Sequence, residues 1–221
     1  MRTIAIISQK GGAGKTTLAI HLAVSAQLAG HATAIFDLDP QATAETWGQW
    51  REERPPEVVP AKAATLVRAL GKAREAGVGL LVLDTPGAAE GAALAAAVAA
   101  DIILIPCRPR SFDLAAVRQT AVVARTAGKP MWLVFNGTAS HGQVRADARE
   151  VAEGIGLAIA PVRLAERAAY HRATEAGQAA QEMEPTGKAA AEVAALWEWT
   201  CGQLGMPSCL SADVRARKGR R

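Results

Sequence analysis

Cysteine and aromatic side chains are scarce in this 221-residue chain, which holds three Cys and 4% Phe, Trp and Tyr together, with Tyr170 its single tyrosine. Cys107, Cys201 and Cys209 form no C-x-x-C pair and are odd in number, which argues against a disulfide framework or a zinc knuckle and fits a reducing compartment. Long apolar runs are missing too. The stretch 91–100 is mostly alanine and falls well short of the roughly 20 residues of a membrane span. The N-terminus opens directly on a strand-like run at 3–8, without the charged region, apolar stretch and cleavage site of a secretory signal. The expectation is a soluble, cytoplasmic protein. Half of the residues are hydrophobic and 21% are charged, an ordinary globular balance for one large α/β domain.

Basic charge is concentrated at one end. The net charge is +4, yet residues 211–221 hold five of the 25 Lys and Arg against one of the 21 Asp and Glu, so 20 of each remain in the body. Residues 1–205 therefore read as a single domain and 206–221 as a basic, flexible tail, which either meets a polyanion or is simply solvated.

Apolar β-type runs alternate with alanine-rich helical stretches along the whole chain, the pattern of a doubly wound, mostly parallel sheet with helices on both faces. Strands are expected near 3–8, 33–37, 79–84, 101–105, 130–136 and 157–161, with a short one at Val58 and Val59. Helices are expected near 15–29, 41–52, 64–76, 89–99, 111–127, 143–154, 165–177 and 187–204.

Three strand endings carry chemistry. The first apolar strand runs into Gln9-Lys10-Gly11-Gly12-Ala13-Gly14-Lys15-Thr16-Thr17. Glycines there let backbone N–H groups approach phosphate oxygens, and the positive end of the following helix faces the same anion. Lys15 would meet the β- and γ-phosphates, and the Thr16 hydroxyl would ligate magnesium. The second ending is Asp37-Leu38-Asp39-Pro40-Gln41, a pair of carboxylates on the ligand-binding edge of a parallel sheet. It reads as a switch segment for metal and water, or as a helix-entry cap. The third, LLVLDTPG at 80–87, places Asp84 to support a metal, with Gly87 as a hinge behind it.

Together these residues resemble the ParA/MinD family of deviant Walker ATPases, whose signature K-G-G-x-x-K-[ST] is met by residues 10–16. The resemblance extends to VFNG at 134–137 and to the helical stretches 167–182 and 189–200. It implies a P-loop NTPase fold, ATP and Mg2+ as cofactors, and slow ATP hydrolysis stimulated by a partner. It also implies that Asn136 reads adenine, that Asp39 orients the attacking water, that Thr16, Asp37 and Asp84 serve the metal, and that Lys10 crosses an ATP-sandwich homodimer to the nucleotide of the other copy. The cradle would be Gly11, Gly12, Ala13, Gly14, Lys15, Thr16 and Thr17. Two features of a conventional P-loop site are missing from the sequence: an arginine-finger motif near the loop, and a glutamate in the strand ending at Asp84.

Within the family, the tail has no amphipathic membrane helix, cysteines are not placed to bridge a cluster between subunits, and there is no tyrosine cluster. The expectation is the short plasmid-partition type, without an N-terminal helix-turn-helix. Such a protein binds DNA non-specifically on the nucleoid and works with a small centromere-binding, ParB-like protein. Candidate DNA contacts are Arg163, Arg167, Arg172, Lys188, Arg215, Arg217 and Lys218. The alternatives are a MinD-like positioning ATPase and a metal- or cofactor-assembly ATPase.

Overall fold

The computed structural model describes residues 1–87, 89–141 and 146–209. Seven parallel strands form one sheet: β1 (Arg2–Ile6), β2 (Thr33–Asp37), β3 (Glu57–Pro60), β4 (Leu80–Asp84), β5 (Ile102–Cys107), β6 (Met131–Phe135) and β7 (Ala158–Ile159), in the order β3-β2-β4-β1-β5-β6-β7. The helices are α1 (Lys15–Leu28), α2 (Thr43–Trp50), α3 (Leu66–Glu75), α4 (Glu90–Ala99), α5 (Ser111–Thr126), α6 (Ala146–Gly154), α7 (Ala168–Glu175), α8 (Ala180–Met183) and α9 (Lys188–Leu204).

Because neighbouring strand residues point to opposite faces, the buried strands divide their side chains between two cores. Ile4, Ile6, Leu80, Val82, Ile102 and Leu104 pack with Leu18 and Leu22 of α1 and with Val193 and Leu196 of α9. Ala5, Ile7, Leu81, Leu83, Ile103 and Ile105 pack with α3, α4, α5 and α6. The central strand β1 lies between β4 and β5, so the chain lays β2, β3 and β4 on one side of it and then crosses over to lay β5, β6 and β7 on the other. That strand-order switch opens a crevice at the C-terminal edge, where the loop after β1 lies.

The expected strands and helices are all present, with two changes in the C-terminal part. The segment 165–177 contributes the shorter α7, and a further short helix, α8, follows it. Residues 206–208, assigned by the sequence to the tail, are engaged with the body, and residues 210–221 lie outside the described residues. Met206 packs against the core, Pro207 carbonyl pairs with His31 Nε2 at 2.9 Å, and Ser208 carbonyl accepts the Trp197 Nε1–H at 2.9 Å.

The C-terminal helices are tied to α1 and α2 by buried polar contacts. Arg51, at 2% exposure, forms a two-point ion pair with Glu182 at 2.8 Å and stacks over the Trp47 ring. Glu182 also accepts the Ala179 N–H at 2.8 Å, so one carboxylate holds both α2 and the start of α8. His21, fully buried, faces Thr17 carbonyl through Nδ1 at 2.7 Å and receives the Ala180 N–H on Nε2 at 3.1 Å. This pairing defines a neutral ring with its proton on Nδ1.

Burial lowers the His21 pKa to about 4 from its ordinary 6.5. A depressed folded-state pKa gives stability that is present above pH 6.5 and is lost as the pH falls toward 4. Denaturant unfolding at pH 7 and pH 4.5 should therefore show a loss on acidification larger by about 2 kcal/mol in the parent chain than in His21→Asn, since a one-unit shift is worth about 1.4 kcal/mol. Equal losses in the two proteins would show that the ring is not held neutral.

Candidate functional site

The loop after β1 takes its shape from steric and hydrogen-bond constraints around Gly14. That residue sits at φ +88°, and a Cβ added there would overlap the Asn136 amide. Asn136 in turn donates Nδ2–H to Ala13 carbonyl at 3.0 Å and accepts the Gly137 N–H on Oδ1 at 2.9 Å. The loop is thus clamped by the strand ending at β6. One amide N–H and one oxygen lone pair of Asn136 remain for a base.

Register brings the acidic residues together. Ile6 of β1 and Asp37 of β2 both pair with Asp84 of β4. Asp84 is 1% exposed; its Oδ2 accepts the Thr16 hydroxyl at 2.7 Å, while Oδ1 is buried without a hydrogen-bond partner. Burial drives its pKa up to about 7, aided by the nearby charges of Asp37 and Asp39 and opposed by the Thr16 hydrogen bond and by Lys15. A buried carboxylate oxygen left unpaired is costly. Beside a threonine hydroxyl at the base of a phosphate cradle, this donor set fits a hard divalent cation.

The two oxygens of Asp37 accept the N–H groups of Asp39 at 2.9 Å and Glu45 at 3.0 Å, so it closes the turn after β2 and serves an N–H in the first turn of α2. These bonds fit the helix-entry cap that the sequence allows, and each carboxylate oxygen keeps a further lone pair. Asp39 accepts the Gln41 N–H at 2.9 Å and is half-buried beside the crevice.

Lys15 is buried at 7% exposure and points back along the loop, donating from Nζ to Lys10 carbonyl at 3.3 Å. Desolvation lowers its pKa, while Asp84 and Asp39 act in the opposite direction. Lys10 is exposed, with its N–H on the Ser8 hydroxyl at 3.3 Å. Gly87, which the sequence offers as a hinge, lies against this segment: a Cβ added to it would come within 3.3 Å of Gly11 N. Gly12 and Thr17 complete the loop, at φ +72° and on the first turn of α1 respectively.

The sequence reading missed Thr120 and Arg108. Thr120 of α5, at 0% exposure, accepts the Gln9 N–H at 3.0 Å. Arg108 packs along Gly137 beside Asn136. Neither belongs to a local motif, and the contact to Gln9 spans 111 positions of sequence.

Of the candidate DNA contacts among the described residues, Arg167 lines a pocket with Gly14, Thr17 and Asn136, and Arg163, Arg167 and Arg172 are engaged within the fold. Arg163 donates to the Thr138 hydroxyl and Ala139 carbonyl, and Arg167 is paired with Glu192 at 18% side-chain exposure. Arg172 pairs with Glu184 near the surface, and Lys188 is exposed at the start of α9. Arg215, Arg217 and Lys218 lie outside the described residues. Trp47 is buried while Trp50, three residues on, is half exposed, so the two do not share an environment.

Residues 4–191 match the family described as the CobQ/CobB/MinD/ParA nucleotide binding domain, and the chain belongs to that family. A protein of Gloeobacter kilaueensis named maintenance of carboxysome distribution protein A is 41% identical over 123 residues, covering 54% of this chain and 55% of its own length. The chain thus spans about half the length of that relative. The protein of the same name from Halothiobacillus neapolitanus is 25% identical across 86% of this chain and 91% of its own. Among solved structures, Aquifex aeolicus MinD superposes with a TM-score of 0.75 at 15% identity, covering 96% of this chain and all of that one. An ATP complex of Cyanothece McdA superposes with a TM-score of 0.73 at 17% identity over 96% of this chain and 99% of that one. At these identities the structures establish the fold.

The unpaired Asp84 oxygen yields a direct test. In the chain without nucleotide, the raised pKa means that the stability tied to Asp84 is present below pH 3.8 and is lost as the pH rises through about 7. Asp84→Asn should therefore be more stable than the parent at pH 8 without ligand, by up to about 4 kcal/mol, since the shift from 3.8 to about 7 is roughly three units at about 1.4 kcal/mol each, and should lose the extra stabilisation that Mg2+ gives with nucleotide. A variant less stable than the parent at pH 8 would contradict the burial argument.

Proposed function

We propose that this protein is a magnesium-dependent ATPase that forms an ATP-sandwich dimer, binds DNA non-specifically in that state and segregates plasmid or chromosome DNA. The observation that carries the reading is the exposed Lys10 at the head of a cradle that already contains a buried Lys15. One lysine suffices to serve the phosphates of its own loop, and the second faces outward, where another copy can present its nucleotide.

In this reading the N–H groups of residues 11–17 and the start of α1 bind the phosphates, and Lys15 swings from Lys10 carbonyl onto them. Thr16 and Asp84 hold the metal, which supplies charge neutralisation at the β- and γ-phosphate oxygens when bound. Asp39, half-buried beside the crevice, orients the attacking water and holds the proton it gives up. Lys10 stabilises charge developing on the transferred and leaving groups of the facing site. Asn136 offers its spare N–H and lone pair to adenine. A partner protein of the ParB-like kind completes a slow intrinsic reaction, consistent with the lack of a glutamate in the strand ending at Asp84.

The two carboxysome-distribution relatives support a second cargo for the same machine, a protein body in place of DNA. The cofactor-assembly alternative is less well supported, since Cys107 and Cys201 are buried within the fold.

DNA affinity measured against salt with ATP, ADP and no nucleotide tests the proposal. Binding should appear with ATP, fall steeply with salt, and vanish in Lys10→Ala even though that variant still binds ADP within about threefold of the parent, because each phosphate contact adds a slope of roughly 0.9 in log affinity. Nucleotide-independent binding that survives the substitution would assign DNA contact to the basic tail alone, and no binding at low salt would defeat the DNA reading.

A further inference from the structure

The segment that carries Lys10 is held from behind by a helix remote in sequence. After β1 the ladder continues through Ile7, whose N–H donates to Leu104 carbonyl at 3.0 Å. Two residues later the Gln9 N–H donates to the Thr120 hydroxyl at 3.0 Å, and that hydroxyl donates to Ala116 carbonyl, one turn back on α5, at 3.0 Å. Thr120 is 0% exposed. A valine would fill the same space, and among the described residues the hydroxyl's bond outside its own helix is the one to Gln9. Its position within an otherwise apolar stripe that includes Val117, Ala121 and Ala124 is accounted for by that bond.

The geometry matters because the Gln9 N–H points to α5 and away from the crevice, in contrast with the N–H groups of a phosphate cradle. Turning that peptide toward α5 fixes where the chain heads next. The Lys10 N–H closes onto the Ser8 hydroxyl, Lys10 carbonyl faces Lys15 Nζ, and Gly11 is backed by Gly87. With the backbone of Lys10 held on these sides, the exposed side chain is the free part of the residue.

From this arrangement we infer that Thr120 is a positioning residue for Lys10, acting through the Gln9 N–H to aim the lysine outward at the facing copy. The inference rests on the sandwich-dimer reading above. It makes the α5 hydroxyl part of the machinery for ATP-dependent association, and leaves phosphate capture in the same subunit to the loop glycines and Lys15.

Thr120→Val removes the acceptor with little change of volume, and Thr120→Ser keeps it. Three quantities separate the outcomes: ADP affinity of the monomer, the dissociation constant of the ATP-bound dimer, and backbone hydrogen exchange over residues 8–11. In Thr120→Val the dimer should weaken about tenfold, the scale expected when a donor loses its buried partner. ADP affinity should stay within about twofold, and exchange at Gln9 should quicken. Thr120→Ser should match the parent in all three. The inference fails if Thr120→Val dimerises like the parent, if ADP affinity falls as far as dimerisation does, or if serine does not rescue. A parent chain that stays monomeric with ATP would sink the sandwich reading itself, a result distinct from a dimer indifferent to position 120.

Discussion

The structure turns on a buried negative charge that the fold alone leaves incompletely compensated. Asp84 stands at the end of a central strand with one oxygen on Thr16 and the other unpaired. Its pKa is displaced to about 7, which records the cost of that burial. Folding tolerates the cost because β4 is held between β1 and β2 and has little room to move. A cation at the crevice would offset it. Ligand binding and local stability are thereby linked, and the loop after β1, the turn after β2 and the segment leading to Gly87 border this point.

Much of the fold was legible because a parallel sheet buried on both faces leaves a strong imprint of apolar strands between alanine-rich helices. The cradle at 10–17 and the carboxylates at 37, 39 and 84 were legible because each follows a strand at the same edge. Long-range pairings were not. The bond from Gln9 to Thr120 has no local signature, and neither does the ion pair that commits Arg167 to Glu192. A basic residue on a helix reads the same whether it faces DNA or a glutamate two elements away. Asp37 shows the complementary ambiguity, since a carboxylate at a strand end three residues before Pro40 suits a metal and a helix cap equally; its bonds to the Asp39 and Glu45 N–H groups leave a lone pair on each oxygen and are compatible with both roles.

The C-terminal helices join the same system. Through Arg51, Glu182 and the neutral ring of His21, α2 and α1 are fastened to α8, so the element that follows the Asp37–Gln41 turn is braced from the far end of the chain. Displacement of that turn toward a nucleotide would be felt in the C-terminal helices, which carry Arg172 and Lys188. This linkage gives the proposed DNA-bound state a physical route to the nucleotide. It runs through packed side chains and hydrogen bonds.

The central claim is that Lys10 serves the nucleotide of another copy, and mixing two defective chains tests it most directly. Lys10→Ala retains a phosphate cradle, and Lys15→Ala retains an outward lysine but has a damaged cradle. Each alone should be nearly inactive. Mixed in equal amounts with ATP and Mg2+, they should recover a substantial part of the parental hydrolysis rate, because the lysine of one chain reaches the intact cradle of the other. A mixture no more active than its separate components would show that Lys10 acts only within its own subunit.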